Sequence, residues 1–406
     1  MSEASLARQP IFDRGLNVIG YELLFRSLKA SEARAVDDAT ATTMVVLNAL
    51  TEIGLERIVG RKRAWINVSR DFLLSGLVSA LPPDIVGLEI LEGQTIDAPL
   101  IDTLAELKRQ GYLLALDDFQ YTPDAVPLLE LADIVKLDFL ALGRDGIAEH
   151  VARLAPFDLT LLAEKIESRD DHRYCLEAGC GLFQGYFYRR PELLSDRRID
   201  ANRFSIVQLI AALQDPTLEF CDLERLIGSD IGLSLRLLRY INSAYFGLRH
   251  RVSSIGQALA LLGSENLRRW ATLSIFAGVD GKPTELTVTA LLRARFCELT
   301  GIRVRGADAS QLFTLGLFSV IDALMDMSMQ DVLAEIPFPD DMREALIAHV
   351  GEMGTLLECV NAIEDADFER AERLVRGCSD RYVDAITWVN QATDQILDEP
   401  GVPAAA

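Results

Sequence analysis

Positive charge is scarce in this chain. Its 406 residues carry 40 lysines and arginines against 61 aspartates and glutamates, a formal net charge of −21. Nucleic-acid phosphates want a basic surface, so the balance argues against broad nucleic-acid binding, although it leaves room for a small basic face. Cysteine supplies no framework. Cys175, Cys180, Cys221, Cys297, Cys359 and Cys378 form no Cys-x-x-Cys and no zinc-type spacing with histidine. They read as buried free thiols of a reducing compartment. The opening residues, Met1-Ser2-Glu3-Ala4-Ser5-Leu6, lack the basic-then-apolar pattern of a secretion signal. No run reads as long and apolar enough to span a bilayer. A cytoplasmic protein of two or three domains is expected.

What is present, from Ile11 to about Tyr188, is an alternation of short apolar runs with helical patterns. The strand candidates cover 18–25, 64–68, 85–91, 113–117, 134–137, 160–163 and 182–187. The helix candidates between them cover 39–53, 71–79, 98–110, 125–131, 146–154 and 168–178. Repeated βα units predict a parallel sheet with crossover helices, and about eight strands would close it as a TIM-like barrel. An open doubly wound sheet normally announces a glycine-rich first turn, and none is found.

The most informative stretch is Tyr112-Leu113-Leu114-Ala115-Leu116-Asp117-Asp118-Phe119, an apolar climb into two adjacent carboxylates. It reads either as a metal site at a strand end or as a strand followed by an Asp helix cap. Other apolar runs end the same way, at Glu22, Asn67, Glu89, Lys136, Glu164 and Gln184. Taken singly, Glu22 could pair with Arg26 across strands, Lys136 could be an exposed strand end, and Gln184 could be hydrogen-bonded core. As a series they place polar groups on strands that have no solvent face. Carboxylates with an amide oxygen suit a hard cation such as Mg²⁺ or Mn²⁺, and a lysine suits a phosphate.

These segments resemble the EAL domain, a TIM-like barrel that hydrolyses cyclic di-GMP, over roughly residues 8–191. Glu22 and the leucines after it match the Glu-x-Leu that names the family. The resemblance implies metal ligation by Glu22, Asn67, Glu89 and Asp117, with Asp118 reaching a second metal. Glu164 would also hold metal and, with Gln184, position the attacking water. Lys136 would contact that water and the scissile phosphate, while Arg26 and Leu24 would contact substrate. Two departures stand out. Active members continue Asp-Asp-Phe with Gly-Thr-Gly-Tyr-Ser-Ser, whereas here Gln120-Tyr121-Thr122-Pro123-Asp124-Ala125 follows. Lys165 stands where active members usually have glycine, and strand alternation turns its side chain away from Glu164. Loss of glycines and gain of a proline change which backbone conformations the loop can adopt. The expected function is a signalling barrel that binds metal and cyclic di-GMP or a related nucleotide with weak or lost turnover. The alternative is an active phosphodiesterase that releases the linear dinucleotide. The altered loop leaves monomer and homodimer both open.

Beyond the charged, proline-marked 191–203 linker, the periodicity turns helical and stays so. An all-α domain over 204–395 and a disordered tail over 396–406 are expected. Ser229-Asp230-Ile231-Gly232-Leu233, Ile241-Asn242-Ser243-Ala244-Tyr245-Phe246 and Ser254-Ile255-Gly256-Gln257-Ala258 resemble the HDOD domain, a helical relative of HD-type phosphohydrolases. None of the histidines, His150, His172, His250 and His349, is followed by Asp. The resemblance therefore implies a module that binds a protein partner. Arg236, Arg239, Arg249, Arg251, Arg268 and Arg269 read either as a basic patch or as an ordinary solvated face.

Overall fold

The computed structural model describes residues 4–27, 54–189 and, with short gaps, 201–397. Eight strands close in sequence order into one barrel. They are β1 (Ala4–Phe12), β2 (Val18–Ser27), β3 (Arg63–Val68), β4 (Val86–Ile90), β5 (Leu113–Leu116), β6 (Ile134–Asp138), β7 (Thr160–Glu164) and β8 (Leu182–Phe183). From β2 to β8 every pairing is parallel.

The all-parallel expectation fails at β1, which runs antiparallel to both β2 and β8. The reason is its connection to β2. Asp13 turns the chain in a few residues, its carboxylate accepting from the backbone N–H groups of Gly15 and Asn17, both at 2.8 Å. So short a link makes a hairpin, and parallel strands need a crossover. The sequence hid β1 because Arg8, Gln9 and Pro10 interrupt its apolar run. Proline is tolerated there because β1 meets β8 only at Phe12 and leaves most of its outer edge outside the sheet.

The helix candidate over 39–53 lies outside the described residues. Among the others, α1 (Ala98–Arg109) begins at the Asp97 cap and α3 (Arg169–Ala178) at the Ser168 cap. Between them, α2 (Phe139–Leu154) starts earlier than expected, at an Asp138 cap, and breaks at Gly143.

Inside the barrel, Ile11, Trp65, Ala115, Ile134, Leu162 and Leu182 form a separate apolar layer. Trp65 fills most of it because Gly20 and Gly87 make room. A Cβ on Gly87 would fall 2.4 Å from the indole. Side chains two residues apart share a strand face. The residues two further on are Glu22, Asn67, Glu89, Asp117, Lys136, Glu164 and Gln184. An apolar floor thus carries a polar layer directly above it.

The second half is helical through Leu397. Within it, α4 (Thr284–Thr300) is buried nearly all round. It packs on α5 (Ala309–Phe318), whose Gly316 lies so close that a Cβ would meet the Arg293 carbonyl at 2.2 Å. The apolar run after α5 does not continue it, because the helix stops at Ser319 and restarts at Ile321. Asp340–Glu364 has the length and composition of a membrane span, contrary to expectation, but half of it is buried in the protein. The chain turns at His349, φ 54°, so the stretch is two packed helices.

The two halves share one hydrophobic core. Both α6 (Gly351–Glu364) and α7 (Cys378–Leu397) pack on β1, covering its open edge. Ser5 and Ser379 hydroxyls meet at 2.8 Å, and Arg8 donates to Asn390 at 3.0 Å. Tyr186 donates to the Glu364 carbonyl at 2.9 Å, and the Glu364 carboxylate pairs with both Arg189 and Arg293. Five of the cysteines are buried as expected; Cys221 is exposed.

Candidate functional site

The barrel floor lifts seven polar side chains to one mouth, and Lys136 stands at their centre. Its ammonium lies 2.6 Å from Glu89, 2.7 Å from Glu164, 2.8 Å from Asp117 and 3.3 Å from Glu22. Three N–H bonds thus serve four carboxylates. Lys136 is 1% exposed, which rules out the exposed-strand-end reading. Glu22 is met on its other sides by amides: Asn67 donates to one oxygen at 2.9 Å and Gln184 to the other at 2.7 Å. Gln184 also donates to Gln9 at 3.0 Å. The Asp helix-cap reading fails too, because Asp117 faces Lys136 and the next helical turn begins only at Pro123, after Thr122.

The electrostatics follow from one buried ammonium among four buried or half-buried acids. Burial, joined by repulsion from Glu22 and Asp117, holds the Glu89 carboxyl well above the usual range. Burial and the same two neighbours push Glu164 up to about 7 against the pull of Lys136. Burial acts on Glu22 as well, but Lys136, Gln184 and Asn67 together hold it below its usual value. For Lys136, burial opposes the charge, and Glu89, Glu22, Glu164 and Asp117 more than restore it. The site therefore remains short of positive charge.

Four buried oxygens at or beside this mouth have no hydrogen-bond partner: Asn67 Oδ1, Glu89 Oε1, Gln184 Oε1 and Asp118 Oδ1. An orphaned buried acceptor carries a desolvation penalty of about 1–3 kcal/mol. Hard oxygen donors left unpaired in an electronegative site fit a divalent cation. Among the described residues, no group of three or more His, Cys, Asp or Glu side chains already stands at ligating spacing, because the acids are drawn onto Lys136.

Asp118 points elsewhere. Its Oδ1 has Lys165 Nζ at 3.5 Å, and that ammonium also binds Asp138 at 2.6 Å. Lys165 has φ 54°, the left-handed conformation that glycine adopts freely, so the side chain comes back over the mouth. This corrects the expectation that Lys165 would turn away. Asp118 is itself at φ 40°. Beside it a cavity of about 340 Å³ is lined by Glu92, Gln94, Asp117, Asp118, Phe119 and Gln120, among others. Leu24 is half-buried against the core. Arg26 is the penultimate residue of β2, and its side chain is outside the described residues.

Sequence reasoning did not find Lys165 as a partner of Asp118, nor Gln9. Gln9 sits on the strand that was missed. In the helical half, Arg249 and Arg251 and the side chains of Arg236 and Arg239 are outside the described residues. Arg269 is not a free cation. It pairs with Glu265 at 2.9 Å and Glu298 at 3.2 Å, while Arg268 donates to the Asp215 carbonyl at 2.7 Å.

The EAL domain family model matches residues 2–191, and the HDOD domain family model matches residues 204–337. The chain is 35% identical over 373 residues to the cyclic di-GMP phosphodiesterase CdgJ of Vibrio cholerae, covering 91% of this chain and 86% of that protein. It is 31% identical over 403 residues to YuxH of Bacillus subtilis, covering 96% and 98%. Among solved structures, a manganese and cyclic di-GMP complex of Klebsiella pneumoniae BlrP1 is 22% identical, with a TM-score of 0.37, over 45% of this chain and 55% of that one.

Proposed function

Because the chain belongs to the family that joins an EAL domain to a C-terminal HDOD domain, we propose that it is a signalling protein whose barrel binds a divalent cation and cyclic di-GMP with weak or lost turnover. Its helical half then acts as the output, through a protein partner. The observation that carries the reading is Lys165. Its ammonium neutralises Asp118, the carboxylate that the EAL resemblance assigns to a second metal.

Mg²⁺ or Mn²⁺ would be held by Glu22, Asn67, Glu89 and Asp117, whose oxygen chemistry fits. When bound, the cation supplies charge stabilisation for a phosphodiester. Lys136 keeps the acids in place and neutralises part of their charge. Glu164 and Gln184 flank that core. Glu164, at about 7, is a group able to hold or release a proton near neutrality. Arg26 and Leu24 would meet the nucleotide near the mouth.

The second reading, an active phosphodiesterase, is favoured by the likeness to CdgJ. One experiment separates them. The protein is incubated with cyclic di-GMP and Mn²⁺, binding is measured by calorimetry, and linear dinucleotide is quantified by chromatography, with Glu164→Ala alongside. Saturable binding with the cyclic ligand recovered intact is expected. Linear product from the unaltered protein but not from the variant would establish the active reading.

A further inference from the structure

A cleft of about 390 Å³, none of whose described lining residues belongs to the barrel, opens where Thr300 at the end of α4 meets α6 and the approach to α7. Arg373, Arg376 and Arg381 line it. In a chain where acids outnumber bases 61 to 40, exposed arginines readily find acids, as Arg153 does with Glu149 and Arg225 with Asp222. These three do not. Among the described residues none of their side chains pairs with a carboxylate, and the one side-chain hydrogen bond they make runs from Arg381 to the Arg376 carbonyl at 3.3 Å. Among the described residues of the lining, Glu352 is the single acid.

A second observation is independent of charge. Thr300 is 6% exposed, and its hydroxyl has no partner. A helical threonine ordinarily donates to the carbonyl four residues back. Thr355, across the same cleft, does so to Gly351 at 3.0 Å. Thr300 does not, which leaves a buried donor on the wall of a cationic cleft.

Three forked guanidiniums and a hydroxyl ask for a ligand with several acceptor oxygens and more than one negative charge. Phosphate groups meet both conditions, and arginine binds them through parallel N–H bonds. The cleft is larger than a lone phosphate and falls in the range of small-molecule pockets, roughly 300–1,000 Å³. We propose that this cleft binds the phosphate or diphosphate group of a small phosphorylated metabolite, with Arg373, Arg376 and Arg381 as the charge-bearing contacts and Thr300 as the buried donor.

The test uses the full chain in EDTA, which removes metal-mediated phosphate binding at the barrel, and titrates inorganic pyrophosphate by calorimetry. Saturable binding is expected, weakened at least tenfold by the double substitution Arg373→Gln and Arg376→Gln and several-fold by Thr300→Val. Both arginines are exposed, so an unchanged melting temperature will certify the double variant. Absence of saturable binding at millimolar pyrophosphate, or equal binding by the double variant, would overturn the proposal.

Discussion

The Tyr21 hydroxyl donates to the Glu285 carboxylate across the domain seam at 3.0 Å, while Glu22, the next residue, faces the barrel interior. Alternation along one strand therefore gives each domain its own side chain. Burial pushes Glu285 up to about 7, against the pull of Arg8 and Tyr21. A folded-state value above the unfolded one means that the folded chain binds the proton more tightly. That contribution is fully present below the unfolded value, about 4.5, and is lost as pH rises through about 7. The shift corresponds to at most about 3 kcal/mol. Urea unfolding from pH 5 to 8 should show Glu285→Gln gaining stability relative to the unaltered protein as pH rises. A constant difference would refute this.

Lys136→Met should be among the most damaging substitutions in the barrel. It removes the only ammonium among four carboxylates and leaves buried charge uncompensated, for a loss of about 3–5 kcal/mol. Millimolar Mn²⁺ should raise the melting temperature of this variant more than that of the parent. Equal shifts would mean that the acids do not hold the cation.

Lys165→Gly tests the reading of the mouth as a catalytically weakened one. Glycine accepts φ 54° without strain, and the change frees Asp118. Stability should move by about 1 kcal/mol at most, because both lost ion pairs, to Asp118 and to Asp138, are made by a half-exposed lysine. Manganese-dependent release of linear dinucleotide should rise about tenfold or more, equivalent to about 1.4 kcal/mol of barrier. No gain would place the block elsewhere, in the loop after Phe119.

Gly185→Ala should disturb site and seam together. Gly185 has φ 142°, and a Cβ there would fall 2.2 Å from the Ile166 carbonyl. The backbone must shift, at a cost of about 2 kcal/mol or more. Gln184 on one side binds Glu22, and Tyr186 on the other binds the Glu364 carbonyl. A variant that melts like the parent would show that the close approach relaxes freely.

The barrel and its polar layer were legible because a charged residue in an apolar run is a local signal. Asp117, Lys136 and Glu164 each stand two residues past an inward apolar side chain, and that spacing survives in the sequence. What was illegible depended on distant partners or on backbone sign. Tyr21 and Glu285 lie 264 residues apart and share no pattern. Lys165 was expected to face away because alternation assumes extended backbone, and its φ is positive. β1 was hidden by Arg8, yet Arg8 is buried at the seam, over the Tyr21 ring at 4.3 Å.

Glu364 has a consequence for domain exchange. It holds Arg293 from its own half and Arg189 from the end of the barrel, all three buried or nearly so. A barrel bearing Arg189, grafted onto a helical half without that acid, would enclose a guanidinium that has lost its paired carboxylate. The cost of exchanging either half for a foreign one therefore falls on this carboxylate, which answers to a guanidinium from each.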